Sequence, residues 1–193
     1  MNSNKDEPGF TLINTNARSL CPKINSLLDC FEEMNVDVAV VTETWLSDGE
    51  SLQDDISDLS HGAGLGMICK NRPVNNRGFS HGGVAIMYQT GTSNFTRVDL
   101  PNPGDFEVIV GAGSLPGHSR KMVVVACYLP PGYDVPKGKR ALDYITDVVL
   151  EIKRKYRDPY LVVTGDFNQW DIAGALEDYQ DICLLYTSPS PRD

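Results

Sequence analysis

Apolar positions along this chain recur with the helical period in two places and with strand-like runs in several others, and the changes of period delimit its elements. Phe10 to Asn14 (FTLIN) predicts a short first strand that runs into Asn14, Asn16 and Arg18. After Pro22, the residues Ile24, Leu27, Leu28, Phe31 and Met34 form a helical stripe, and Val36 to Thr42 (VDVAVVT) predicts a second, buried strand that stops at Glu43. This β-α-β order favours a parallel pair and sets Asn14 and Glu43 at the carboxyl ends of neighbouring strands. Leu46 to Pro73 has weak periodicity and predicts irregular connection with one strand around Met67 to Lys70. Gly82 to Tyr88, Asn94 to Asp99, Phe106 to Val110 and Met122 to Leu129 then predict a meander of antiparallel strands, with Gly111 to Ser119 as a turn. Arg140 to Tyr156 places Leu142, Ile145, Val148, Val149, Ile152 and Tyr156 on one face, a helix leading into Tyr160 to Asn168 (YLVVTGDFN).

That last stretch is a run of β-favouring residues that ends abruptly on polar ones. Leu161, Val162 and Val163 suit a strand covered on both faces, and Gly165 permits a close approach or sharp turn at its end. Asp166 and Asn168 then stand at a strand's carboxyl end, where open α/β sheets bind ligands. Taken alone, Asp166 could equally cap a loop.

Composition narrows the classes. At 193 residues, 41% hydrophobic and 22% charged, the chain has the length and make-up of one globular domain. No stretch has the apolar length that spans a bilayer, and Met1 to Pro8 is polar, unlike a secretory leader, which predicts a nuclear or cytoplasmic protein without a membrane partner. The five cysteines are scattered without a C-x-x-C pair and predict reduced packing residues. A net charge of −9 argues against a passive nucleic-acid binder, though not against an enzyme whose own cation offsets a phosphate substrate. Lys137, Lys139 and Arg140 form one basic patch; Lys153, Arg154, Lys155 and Arg157 form another that suits the solvated end of a helix.

Near-motifs fail on spacing. GAGLG from Gly62 and GAGSLPG from Gly111 lack a dinucleotide fingerprint and read as turn glycines, and Gly132 to Arg140 lacks the Ser or Thr of a P-loop. His61, His81 and His118 stand apart and read as surface residues rather than a zinc set. What remains is Asn14, Glu43, Tyr128 and Asp166 with Asn168, all at predicted strand ends. Oxygen ligands without Cys or His suit a hard cation, Mg²⁺ or Mn²⁺. Phosphoester hydrolysis needs such parts: carboxylates for the ion and the water, and amide or phenol groups for the developing charge.

NARSL followed by a helix, TETWL, HGGVAI, YLPPG and GDFN occur in an order and spacing that resemble the endonuclease/exonuclease/phosphatase superfamily, in particular the apurinic-like endonuclease domain of jockey-like non-long-terminal-repeat retrotransposons. The resemblance implies a four-layered, DNase I-like α/β sandwich. It implies Glu43 and Asn14 as the metal-binding pair, Asp166 as the residue that orients or deprotonates water, Asn168 as a stabiliser of the transition state, and Tyr128 as a hydrogen-bond partner of the scissile phosphate. Asn16 and Arg18, where some relatives carry an Asp, imply a weaker role in DNA contact. It further implies DNA as the substrate, nicked to prime reverse transcription, and fusion to a reverse transcriptase domain. An abasic-site repair enzyme, a small-molecule phosphatase and a non-catalytic remnant remain alternatives.

The family's pattern ends in Ser-Asp-His, and no such motif follows Asp166 here. The expected organisation is a polar segment 1–9, a truncated domain 10–182, and a tail 183–193 (CLLYTSPSPRD) whose coding sequence resembles a sequencing adaptor and which is read as foreign to the fold. A sandwich incomplete at its carboxyl terminus, and weakly active or inactive, is the consequence.

Overall fold

The structure is a computed structural model that describes residues 9–47, 58, 60–72, 81–101, 106–179 and 182–186. The first strand, β1 (Leu12–Asn16), pairs in parallel with β2 (Val38–Thr42) after a short 3-10 turn (Cys21–Lys23) and helix α1 (Ile24–Glu33). β3 (Leu65–Lys70) and β4 (Val84–Gln89) form an antiparallel pair that joins this sheet through β2, giving the order β1-β2-β4-β3. The second sheet, in the order β5-β6-β7-β8-β9, contains β5 (Thr96–Arg97), β6 (Glu107–Gly113), β7 (Met122–Tyr128), β8 (Tyr160–Asp166) and β9 (Ile182–Tyr186). Helix α2 (Val135–Lys155) is the crossover between the parallel strands β7 and β8, and a single helical turn, α3 (Ile172–Ala175), follows β8. No helix among the described residues is long and apolar enough to cross a membrane.

Side-chain alternation explains why the central strands read as unbroken apolar runs. On β2, Val38 and Val40 face the opposite sheet while Ala39 and Val41 face α1. On β7, Met122, Val124 and Ala126 face the first sheet while Val123, Val125 and Cys127 face α2, where Ala141, Ile145, Val148, Val149 and Ile152 meet them. Three apolar layers therefore separate four layers of structure, α1, sheet, sheet, α2, and strands covered on both faces need no polar period. The four-layered α/β sandwich expected from the sequence is the architecture observed.

Several details differ. The run of middle strands is divided between two sheets, because antiparallel strands of similar length carry no mark of the sheet they join. β1 begins and ends two residues later than expected, so Asn16 rather than Asn14 is its last residue. Helix α2 starts at Val135, with the Asp134 carboxylate capping the Lys137 N–H at 2.7 Å and a proline in its first turn; its last turn carries Lys153, Arg154 and Lys155, favourable to the helix dipole. Gly111 and Gly113 are not turn residues. They lie in β6 under the Phe95 ring, which a Cβ at Gly113 would meet at 2.6 Å. His118 is partly buried between Phe10 and Tyr160 rather than on the surface. Cys183, expected to open a segment outside the fold, lies within β9, which pairs in parallel with β8; a short apolar run beside the open edge of β8 suffices to add a strand. Residues 1–8 and 187–193 lie outside the described residues.

Candidate active site

The layer between the sheets is apolar until its carboxyl-terminal end, where the same inward positions turn polar. Leu12 on β1 belongs to the apolar layer, and Asn14 and Asn16 follow it at the strand period of two. Tyr128 continues the inward row of Met122, Val124 and Ala126, and Asp166 that of Val162; the two are register partners on β7 and β8. Glu43 is the first residue after β2. The sequence thus converts one face of three strands from core to site by changing residue type at fixed parity.

These residues meet across the two sheets. The Asn16 amide Nδ2 donates to Glu43 Oε1 and to Asp166 Oδ2, each at 2.8 Å, so one side chain bridges carboxylates carried by different sheets. Its orientation is fixed from behind, because the Arg18 backbone N–H donates to Asn16 Oδ1 at 3.1 Å and leaves Nδ2 to face the acids. The Tyr128 hydroxyl donates to the same Glu43 Oε1 at 3.2 Å. Burial, followed by the nearby Glu43 carboxylate, pushes the Tyr128 phenol well above its ordinary value, so it acts as a neutral hydrogen-bond donor. The Asn168 N–H donates to Asp166 Oδ1 at 3.1 Å, and its side-chain amide donates to the Leu129 carbonyl at 2.9 Å, tying the turn after β8 to the end of β7.

Of the residues singled out from sequence, Glu43, Tyr128 and Asp166 stand together as expected. Asn16, for which the resemblance implied DNA contact, stands between the two carboxylates. Asn14 instead donates to the Gly165 carbonyl at 2.9 Å, joining β1 to β8 one step below the carboxylates, and its Oδ1 is buried without a hydrogen-bond partner. The Arg18 side chain is exposed, and its backbone contribution to Asn16 is the role the structure gives it.

Backbone strain concentrates here. Arg18, Ser19, Glu43, Trp45 and Asn168 all have positive φ, at 44°, 82°, 51°, 55° and 49°. Gly165 has a φ of 145°, and a Cβ there would lie 1.8 Å from the Cys127 carbonyl oxygen, so the close β7–β8 approach that presents Asp166 requires glycine. The strained 43–45 segment is clamped on both sides: Ser19 and Leu20 N–H groups donate to the Glu43 and Thr44 carbonyls at 2.9 Å, while Trp45 and Thr44 N–H groups donate to the Gly82 and Gly83 carbonyls at 2.8 and 3.4 Å.

Glu107, which the sequence reading did not single out, lies behind this clamp. It is 3% exposed, sits opposite Tyr128 in the β6–β7 register, accepts the Gly83 N–H and pairs with Arg72. Burial raises its carboxyl above the ordinary value, opposed by Arg72 and the Gly83 bond. The signal available in sequence was an acid immediately before an apolar run, which ordinarily marks a strand's solvated end.

The donor set fits a hard cation. Glu43 and Asp166 supply carboxylate oxygens, and among the described residues no group of three or more His, Cys, Asp and Glu forms a self-sufficient cage. A carboxylate suits an Mg²⁺-like ion that retains waters and shares its shell with substrate phosphate oxygens. Glu43 would hold such an ion, whose chemistry is to offset phosphate charge and to lower the pKa of a bound water.

A four-layered sandwich with carboxylates, amides and a phenol gathered at the carboxyl ends of both sheets is the DNase I-like class of α/β fold. Residues 1–182 match the endonuclease/exonuclease/phosphatase family, and the chain belongs to that family. No curated protein sequence matches it. Among solved structures, the chain is similar to the human nocturnin catalytic domain with bound sulfate, with a TM-score of 0.62, 13% identity, and coverage of 90% of this chain and 70% of that one. It is also similar to an AP endonuclease from Archaeoglobus fulgidus, with a TM-score of 0.53, 15% identity and coverage of 78% and 53%. A third is a 3′ phosphatase from Neisseria bound to product DNA hairpin, with a TM-score of 0.52, 18% identity and coverage of 77% and 54%. The chain therefore spans little more than half the length of the last two.

Proposed function

We propose that this domain is a metal-dependent phosphodiester hydrolase that nicks DNA, and that its parent protein uses the nick to prime reverse transcription in a jockey-like retrotransposon. The observation that carries the reading is the Asn16 bridge between Glu43 and Asp166, with the Tyr128 hydroxyl on the same Glu43 oxygen. Family membership supports phosphoester chemistry, and the Neisseria and Archaeoglobus relatives, one bound to a DNA product and one an AP endonuclease, support DNA as the polymer.

Each side chain has a task in that reaction. Asp166, oriented by Asn16 and by the Asn168 N–H, accepts the proton of the attacking water as its oxygen bonds to phosphorus. The P–O3′ bond breaks and the departing O3′ takes up a proton from solvent water, leaving a 5′ phosphate and a 3′ hydroxyl that can prime synthesis. Tyr128, kept protonated by its surroundings, donates to a phosphate oxygen, and Asn168 holds the turn that carries Asp166. Mg²⁺ or Mn²⁺ is the cofactor, with Glu43 as its carboxylate ligand, which leaves Asp166 to act as the base.

The pattern this chain resembles places a Ser-Asp-His segment after the Asp166 position, and a cooperative site that lacks one of its members loses orders of magnitude in rate. The test is nicking of supercoiled plasmid, with Mg²⁺ and with EDTA, by this chain and by a version extended with a carboxyl-terminal Ser-Asp-His segment. Mg²⁺-dependent nicking by the extended form alone is expected. Turnover of abasic DNA or of a small phosphate ester, with no plasmid nicking, would overturn the assignment.

A further inference from the structure

We propose that Glu107 is a positioning residue for Glu43, acting through the Gly82–Gly83 backbone. The inference rests on the reading of Glu43 as a metal ligand, yet its structural part stands apart from any activity. Glu107 belongs to the second sheet, and Glu43 directly follows β2 of the first. Between them runs a short chain of bonds: Glu107 Oε2 accepts the Gly83 N–H, the Gly83 and Gly82 carbonyls accept the Thr44 and Trp45 N–H groups, and these follow directly on Glu43.

Three observations make this more than a buried ion pair. First, the segment being held is strained: Glu43 and Trp45 have φ values of 51° and 55°, a conformation that persists only where surroundings enforce it. Second, the loop doing the holding has no room for other residues. A Cβ at Gly83 would sit 2.3 Å from Thr44 Oγ1, and one at Gly82 would sit 2.8 Å from Glu107 Oε2, so glycine is what lets backbone, carboxylate and strained segment stack this closely. Third, Glu107 is the register partner of Tyr128, whose hydroxyl reaches Glu43 Oε1 at 3.2 Å. Glu43 is thus fixed from two directions by neighbouring positions of one strand pair, by Tyr128 directly and by Glu107 through the glycines. Arg72 completes the arrangement by pairing with Glu107 and holding its carboxylate in the orientation that meets Gly83.

Partners that orient metal ligands from behind typically contribute 10- to 100-fold in metal affinity, roughly the effect expected here. The experiment compares the wild-type chain with Glu107→Ala and Glu107→Gln by two measurements. Amide hydrogen exchange at Thr44 and Trp45 reads the clamp itself, and Mn²⁺ titration followed by tryptophan fluorescence reads the ligand, Trp45 being two residues from Glu43. Glu107→Ala is expected to accelerate exchange at both amides and to weaken Mn²⁺ roughly 10-fold or more. Glu107→Gln, which keeps an acceptor for Gly83, is expected to restore much of each, and it serves as the folded comparison if the alanine variant is globally destabilised. Unchanged exchange at Thr44 and Trp45 in both variants, in chains that remain folded, would overturn the proposal. Accelerated exchange with no Mn²⁺ binding by the wild type would support the positioning role and instead sink the metal reading of the site.

Discussion

Asn16→Asp puts the bridge between the two sheets under direct load. The amide now donates to two carboxylates at 2.8 Å, and a third carboxylate in its place removes both bonds and adds like charge. Hydrogen bonds to ionised groups contribute about 1.5–3 kcal/mol each, and the lower end applies because the three side chains are only half-buried, so about 3 kcal/mol is lost before any repulsion. Charges about 4 Å apart interact by about 4 kcal/mol at an effective dielectric of 20, most of which the half-exposed side chains relieve by rotating into water. A net loss of about 4 kcal/mol in EDTA corresponds to a midpoint lowered by roughly 8–16 °C for a domain of this size. A divalent ion reverses the sign of the new charge's effect. If the added carboxylate tightens binding about 100-fold, saturating Mg²⁺ recovers about 2.7 kcal/mol relative to wild type. Thermal or urea unfolding in EDTA and in Mg²⁺ measures both halves, with Asn16→Ala as the variant that loses the bonds without adding charge. A variant that melts with the wild type in EDTA, or whose deficit in Mg²⁺ narrows no more than that of Asn16→Ala, would refute the bridge.

Two further outcomes follow from single contacts. Gly165→Ala should lose at least about 3 kcal/mol in urea unfolding, from a disfavoured φ and from a clash with the Cys127 carbonyl; a wild-type midpoint would contradict the close approach of β7 and β8. Glu107 carries a raised carboxyl pKa, so between the ordinary value and the raised one the folded state binds more protons than the unfolded state. Its contribution is complete below the ordinary range and declines as pH rises through the raised value. Glu107→Gln should therefore flatten the fall in stability as pH rises above the ordinary carboxylate range, read as urea midpoints, and parallel profiles for the two proteins would refute it.

The parts of the site that were legible from sequence are those where an apolar run stops on a polar residue. Glu43 after VDVAVVT and Asp166 after YLVVTG stand where a strand's end puts them, and Tyr128 stands at the last position of β7. That Asn14 and Asn16 share one face has a simple cause. Residues two apart on a strand share a face, so both asparagines point between the sheets, and only the length of β1 decides which one reaches the carboxylates. Glu107 was illegible for a different reason. Its meaning depends on Arg72 and Gly83, which flank strands of the other sheet, and the partition of the middle strands between sheets leaves no periodic trace. Contacts between sheets do not follow from pattern.

The bond from Asn16 to Asp166 joins residues 150 positions apart, and that from Asn14 to Gly165 joins residues 151 apart. On a ribosome, the first sheet's share of the site, Asn16 and Glu43, is complete long before Asp166 is made. During that interval Glu43 and Asn16 lack the opposing strand that sets their spacing. The cleft is thus a proofreading mark of its own folding: it exists as a geometry only when the second sheet has been synthesised, closed against the first and stopped in the right register. A nascent or misregistered chain carries the same residues without the arrangement.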